Sequence, residues 1–230
     1  MSDTLHIFVG TDQRSAVAEA TLVKSIEMNC SGAIEVHFMR AGEPGWDNWK
    51  QQPQAPYDYA ARERENTWMT QFSCFRFVIP ELMKFKGRAI YLDVDMLVLG
   101  DLRELLDIVS DEQAWGCVMA YRTDVSVINC ERFSWDWWMA SDWMRQSDWN
   151  VENYISYLGQ HAQIMMGGWP EWDCLDGDQY DPDRTKLVHY TDMNTQPWKP
   201  WPDRFSYAEP HPCPEVVELW NHYQELAKET

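Results

Sequence analysis

An α/β fold with a mixed, mainly parallel sheet flanked by helices is what this 230-residue sequence predicts, on three observations. A strand, a helix and a second strand follow one another within the first 40 residues. A short apolar run, 89–92, ends in two aspartates spaced one apart, Asp93 and Asp95. Strands then go on alternating with helical segments up to a closing amphipathic helix over 214–228. Alternation of this kind builds βαβ units with right-handed crossovers and leaves a ligand crevice at the strand ends.

HIFVGTD (6–12) supplies the first strand, where Ile7, Phe8 and Val9 run into a Gly-Thr-Asp turn. Residues 15–29 have helical periodicity through Val17, Leu22, Val23 and Ile26, and IEVHFM (34–39) is the second strand. AGEPGWDNWKQQPQAPYDY (41–59), rich in Pro, Gly and Gln, reads as a long loop, and long loops in compact α/β domains tend to be lids or binding loops. Residues 67–84 are helical in pattern, with Pro80 opening a second helical segment. In RAIYLDVDMLVLGDLRELL (88–106) a buried strand stops at the two acids, a second apolar run covers 96–99, and Gly100 turns the chain. Asp101 caps the helix that follows, with Glu104 placed as in a capping box. WGCVMAY (115–121) and VSVINC (125–130) are two further strands. A helix begins at Ser134, with Trp135, Trp138 and Met139 on one face beside Asp142 and Trp137 elsewhere; these aromatics read first as core and second as an acceptor-sugar platform. The chain is irregular from Gly159 to KLVHY (186–190), a short strand, and Pro214 opens the last helix. The whole chain, 1–230, reads as one domain.

Charge narrows the function. A formal charge of −18 and a pI near 4.6 argue against nucleic acid and against an electrostatic hold on anionic lipid. The same field repels nucleotides, so a metal and local basic residues must offset it wherever a nucleotide binds. No run of eighteen apolar residues exists, and MSDTLHIFVG lacks the features of a secretory signal. Six cysteines (30, 74, 117, 130, 174, 213), widely scattered, read as reduced thiols of a cytoplasmic protein.

Two carboxylates at the end of a core strand lose hydration unless a cation meets them. A divalent metal carrying a polyphosphate is the partner that suits acids at the carboxyl ends of strands in an open α/β sheet. YLDVDMLVLGDLREL, moreover, resembles the metal-binding strand of glycosyltransferase family 8, the retaining nucleotide-sugar transferases of GT-A fold, where the usual string is close to YLDADxxVxxDLxEL. The resemblance implies a GT-A fold, a UDP-hexose donor, and Mn²⁺ (or Mg²⁺) bound by Asp93 and Asp95, with the backbone of Val94 near the ribose.

Other segments extend it. VGTDQR resembles the family's opening turn, which implies that Gly10, Thr11 and Asp12 line the nucleoside and that Arg14 stands where an asparagine is common. FSCFRFVIPELM (72–83) resembles the family's R-x-x-x-P-x-L stretch, which puts Arg76 on the nucleotide or donor sugar. KLVHYTDMNTQPW (186–198) resembles the C-terminal H-x-x-G-x-x-K-P-W signature, which makes His189 the third metal ligand. There Asp192 replaces the glycine, and Gln196 takes the place of the diphosphate-binding lysine in the donor site; Lys199 or Lys186 is a substitute cation. The family's N-x-G-V-x-x-x-N strand falls on 122–129, where the last asparagine is kept. GGWPEWDC resembles the L-P-x-x-W-N stretch, with Asp173 for asparagine. QSDWN stands for the element that supplies the polar group on the reactive face of the donor sugar, which implies Gln146 or Asp148 in that catalytic role.

The function implied is metal-dependent, retaining transfer of a hexose from a UDP-sugar to an unknown sugar, lipid-linked or protein acceptor. The altered positions 192 and 196 keep a second reading open, a non-catalytic nucleotide-sugar or carbohydrate-binding protein on the same fold. A nucleotidyl- or phosphotransferase would also want paired acids, but no Gly-rich phosphate loop follows the first strand.

Overall fold

β1 (Leu5–Asp12), α1 (Ala16–Asn29) and β2 (Ile34–Ala41) form the expected βαβ unit, with β1 and β2 parallel. A computed structural model describes residues 4–43, 71–119, 122–140, 151–203 and 205–229 of the protein. Most of the long loop, and the start of the helix expected over 67–84, lie outside these residues.

The rest of that helix is wound differently. Gln71–Val78 is a 3-10 helix, and only α2 (Ile79–Leu82) is α-helical, with Pro80 in its first turn. Phe72, Phe75, Phe77 and Val78 are all buried, so the segment has no solvent face of the kind an amphipathic α-helix presents. β3 (Arg88–Asp93) and β4 (Met96–Val98) follow the two apolar runs. Leu102–Ile108 is again 3-10, capped by the Asp101 carboxylate, which accepts from the Arg103 N–H at 3.0 Å. The capping box does not close, because Glu104 pairs with Lys186 instead.

β5 (Gln113–Cys117) begins and ends earlier than expected, and β6 is Val125–Asn129. No helix starts at Ser134. Residues 135–137 form a turn; Trp138, just after it, is fully buried and donates its indole N–H to the Phe77 carbonyl at 2.9 Å, while Trp135 is exposed. The two therefore do not share a face. The irregular stretch expected after Gly159 contains the end of α3 (Val151–His161), then β7 (Gln163–Met166) and β8 (Cys174–Leu175), before β9 (Leu187–His189) and α4 (Pro214–Lys228).

The main sheet runs β2-β1-β3-β6-β5-β7, with β6 antiparallel to both neighbours and the other pairs parallel. A small second sheet, β4-β9-β8, stands beyond the end of β3. α1 supports it through side chains: Ser25 Oγ accepts from the Val98 N–H at 3.0 Å, and Asn29 Nδ2 donates to the Val98 carbonyl at 3.0 Å. The core is apolar and aromatic, with Ile7, Val9, Leu22, Phe75, Ile90, Leu92, Trp115 and Trp220 all excluded from solvent. All six cysteines are free thiols. Among the described residues no helix is long and apolar enough to cross a membrane.

Asp176 ties the C-terminal segments to this frame. It accepts from His211 Nε2 at 2.6 Å, Thr191 Oγ1 at 2.7 Å and the Asp192 N–H at 2.6 Å. Burial alone would raise its pKa, but these hydrogen bonds outweigh burial and hold the carboxyl below 3.8. A depressed carboxyl contributes stability above its unfolded value and loses it as the pH falls through the folded one. Asp176→Asn is therefore expected to cost about 1–3 kcal/mol at pH 7. In urea titrations across pH, the gap to wild type should narrow as the pH drops below 3.8.

Candidate functional site

The site forms where β1, β3, β6 and the small sheet meet. The Val94 N–H donates to the Gly10 carbonyl at 3.1 Å, and the Tyr190 N–H donates to the Asp95 carbonyl at 2.9 Å. The Asp93-Val94-Asp95 turn is thus held from both sides, by the end of β1 and by the residue after β9. Antiparallel pairing of Leu92 with Val125 brings Asp124 opposite Asp93. Pairing of Met96 with His189 brings the imidazole to Asp95, and its Nε2 lies 3.3 Å from Asp95 Oδ1. On its other side His189 Nδ1 lies 2.8 Å from Asp173 Oδ1 and 3.6 Å from Asp124 Oδ2.

The charges in this cluster do not balance by themselves. Four carboxylates (Asp93, Asp95, Asp124, Asp173) meet two guanidiniums: Arg76 pairs with Asp93, and Arg122 with Asp124 and Asp173. Burial outweighs the pull of Arg76 and, together with Asp95 and Asp124, raises the Asp93 carboxyl to about 6. Burial works against a charged His189, but Asp95 and Asp173 prevail and raise the imidazole well above its ordinary value. Burial is outweighed in the same way at Asp124, which His189 and Arg122 hold low. The side chains of Asp95, Asp124 and Asp173 each keep one buried oxygen without a hydrogen-bond partner among the described residues.

This donor set fits a divalent cation. With His189 neutral, as a metal ligand must be, the four acids and two guanidiniums among the described residues leave two negative charges. The raised imidazole offsets one of them in the cation-free protein, so that a divalent ion takes the place of that proton. Asp93, Asp124 and His189 offer ligand atoms that lie within 4.8 Å of one another. Oxygen donors with one imidazole suit Mn²⁺ or Mg²⁺. Asp95, next to the imidazole and holding an orphaned oxygen, completes the group.

The remaining expected residues divide by what they touch. Arg76 is 3% exposed and turned inward: Nε donates to the Ser73 carbonyl at 2.7 Å, Nη1 to Thr123 Oγ1 at 2.9 Å, and Nη2 to Asp93 Oδ1 at 3.0 Å, with the guanidinium 4.3 Å over the Tyr91 ring. Thr11 is buried and donates to Glu19 Oε1 at 2.8 Å. Asp12 Oδ1 shapes the turn into α1, accepting from the Arg14 N–H at 2.9 Å and from Ser15 Oγ at 3.0 Å. Arg14 pairs with Asp203 at 2.7 Å and lies 4.2 Å over the Trp201 ring. Gln196 is buried, and its Nε2 donates to Asp95 Oδ2 at 3.2 Å and to the Tyr190 carbonyl at 2.8 Å. Lys186 pairs with Glu104, and Lys199 lies 6.0 Å over the Tyr207 ring in a cavity it lines together with Gln196. From His189 to Pro197 the chain is one residue longer than the family signature, and the turn closed by the Thr195 N–H on the Asp192 carbonyl (2.9 Å) falls within that span. Asp192 does not have a positive φ, so the position has no need of glycine's backbone freedom. Gln146 and Asp148 lie outside the described residues.

Gly10 makes a close approach, though to the protein itself. A Cβ there would stand 2.2 Å from Tyr91 Oη and 2.8 Å from Phe72 Cδ2. Tyr91 Oη donates a short hydrogen bond to Asp93 Oδ1. Gly10→Ala is therefore expected to push this hydroxyl off Asp93 and to cost about 1–3 kcal/mol, read as a lowered urea midpoint.

Comparison with known proteins fits this geometry. Residues 6–159 match the family described as glycosyl transferase family 8, a span that includes β1, β3 and both acids of the Asp-x-Asp turn. The chain belongs to that family. Protein CDI of Arabidopsis thaliana is 42% identical over an alignment of 118 residues, and the match covers 49% of this chain and 40% of that protein. An active-site mutant of LgtC superposes with a TM-score of 0.61 at 15% identity over 95% of each chain. The galactosyltransferase LgtC in complex with donor and acceptor sugar analogs gives 0.57 at 16% identity, over 96% of this chain and 95% of that one. The glycosyltransferase GlyE of Streptococcus pneumoniae gives 0.60 at 15% identity in its apo form, over 96% of this chain and 60% of that one. The fold of this family 8 chain is the GT-A fold, and the family it belongs to is one of glycosyl transferases.

Sequence reasoning missed Asp124 and Arg122. Arg122 and Asp124 occupy the altered asparagine and glycine positions of the N-x-G-V-x-x-x-N strand, which gave no hint of a charged pair, and they reach the site because β6 is inserted antiparallel beside β3. Asp173 carried a signal, its place in the W-N-like stretch, but its partner could not be read. The parallel pairing of Leu175 with His189 is what sets Asp173 on the imidazole's face of the small sheet.

Proposed function

We propose that this glycosyltransferase moves a hexose from a UDP-sugar, bound through Mn²⁺ or Mg²⁺, to a sugar, lipid-linked or protein acceptor with retention at the anomeric carbon. The observation that carries the proposal is the convergence of Asp93, Asp95, Asp124 and His189, with buried carboxylate oxygens that have no hydrogen-bond partner among the described residues and more acids than guanidiniums. Asp93, Asp95 and His189 hold the cation, and Asp124 either joins them or completes the negative field. When bound there, such a cation acts as a Lewis acid that stabilises the departing diphosphate. Arg76 keeps Asp93 in place, and Asp173 accepts from His189 Nδ1, which leaves Nε2 facing the acids. Gly10 and Val94 offer backbone beside the nucleoside, while Asp12 and Arg14 border the same end of β1. Gln146 or Asp148 supplies the polar group at the donor sugar.

A second reading, nucleotide-sugar binding without transfer, draws on Gln196. It spends its amide on Asp95 and the Tyr190 carbonyl where a lysine would bring charge to the diphosphate. UDP formation from UDP-glucose and UDP-galactose, with and without Mn²⁺, separates the two. Transfer or slow hydrolysis that stops with a chelator supports the enzyme. Stabilisation by Mn²⁺ with UDP but no turnover of either donor supports the binding protein. The absence of both effects removes the cation site itself.

A further inference from the structure

At the other end of β1 stands a second group of metal-competent side chains, which the transferase reading does not use. His6 on β1 and Glu35 on β2 are register partners, and His37 lies two residues beyond Glu35, opposite Phe8. Side chains alternate along a strand, so Glu35 and His37 share a face with each other, and His6 and Phe8 do likewise. The two imidazoles point their nitrogens at one spot: His6 Nδ1 and His37 Nε2 are 3.1 Å apart. Glu35 closes the triangle, with Oε2 3.6 Å from His6 Nδ1 and Oε1 3.8 Å from His37 Nε2.

These spacings separate two explanations. The His6–His37 contact at 3.1 Å is itself within hydrogen-bonding distance, but Glu35 is beyond that distance from both rings, so hydrogen bonding accounts for the ring pair and not for the placement of the carboxylate. Instead its two oxygens face different nitrogens from similar distances, as ligands do around a shared centre. Donors bound at about 2.0–2.1 Å around a tetrahedral ion are about 3.3 Å apart, close to what these atoms show. The orientation of the rings is fixed by packing. His37 stacks on Phe8 with centroids 4.5 Å apart and 18° between planes, and His6 stacks on His37 at 5.4 Å. Access is open, because His6, Glu35, His37 and Phe8 line a cleft of about 1550 Å³.

We infer that His6, Glu35 and His37 form a binding site for a borderline divalent cation, Zn²⁺ in the first instance, that clasps β2 to β1. Two imidazoles and one carboxylate are a ligand set that zinc takes with a fourth position left to water or another small ligand. The cleft supplies the room for it. Among the described residues β2 is the edge strand of the main sheet, so a cation shared between β1 and β2 stabilises a strand that has a described partner on one side alone.

The test is zinc titration calorimetry on the chelator-treated full chain, beside His6→Gln, His37→Gln and Glu35→Gln, with circular dichroism on each. Glu35 is half-exposed, so its variant reports even where a histidine variant fails to fold. The expected result is that the wild type binds zinc and gains thermal stability. Each histidine variant should lose one equivalent, or about 100-fold in affinity, at or above the upper end of what losing an outer-shell partner costs. Glu35→Gln should weaken the same equivalent. Wild-type protein that binds no zinc, or binding that all three variants keep, overturns the site. Neither result bears on UDP formation, which depends on residues at the far end of β1.

Discussion

Asp95→Asn is expected to abolish hexose transfer, by about 10³-fold or about 4 kcal/mol of barrier, in a protein that keeps its fold, since the relieved repulsion offsets the lost pairing with His189. The two halves of this expectation have one cause. Asp95 sits beside Asp93, has no hydrogen bond on its buried Oδ1 among the described residues, where His189 Nε2 stands 3.3 Å away, and takes an amide from Gln196 on Oδ2. Its buried charge is met by the His189 proton in the cation-free chain and by the metal once that proton is displaced. The amide has the same shape and no charge, so it relieves the repulsion and removes the ligand. UDP formation and thermal melting, measured with and without Mn²⁺, check both halves. In addition, the stabilisation by Mn²⁺ with UDP should shrink in the variant. A turnover number equal to wild type would show that Asp95 plays no part in holding the cation.

Arg76→Ala is expected to be the most destabilising single change near the site, by about 3–5 kcal/mol. Its guanidinium is 3% exposed and makes hydrogen bonds to Ser73, Thr123 and Asp93. Removing it leaves Asp93, already raised to about 6, without its nearest counter-charge and leaves a void above the Tyr91 ring. Against a domain stability of about 5–15 kcal/mol, that is a large share. Urea unfolding at neutral pH measures it. Arg76→Lys should recover part of the loss, since an ammonium restores charge but not the three-way fork. A loss under about 1 kcal/mol would mean that Asp93 is neutralised by something else.

The segments read most easily from sequence were those whose side chains repeat with a plain period. β1, α1 and β2 came from apolar runs and helical spacing, and β3 from a buried run stopped by acids. Gln71–Val78 and Leu102–Ile108 misled because their apolar residues fit a helix, yet a 3-10 winding buries them as well. β7 and β8 are four and two residues long, too short to show a period, and they exist because β5 and β9 offer them edges. The site divides along the same line. Asp93, Asp95 and His189 stood out because each ends or follows an apolar run in a family-like string. Arg122 and Asp124 belong to a turn whose meaning comes from the strand it is packed beside. Thr11 shows the reverse: it holds a family position, and its hydroxyl is spent on Glu19 inside the fold.

The most direct measurement is anomalous scattering from crystals of the protein soaked with Mn²⁺ and UDP. The predicted result is a manganese peak at bonding distance, about 2.0–2.3 Å, from His189 Nε2 and from an oxygen of Asp93 or Asp95, with the diphosphate of UDP on the same ion. A structure in which His189 still pairs with Asp95 and no peak lies between β3 and β9, although UDP is bound, would contradict it.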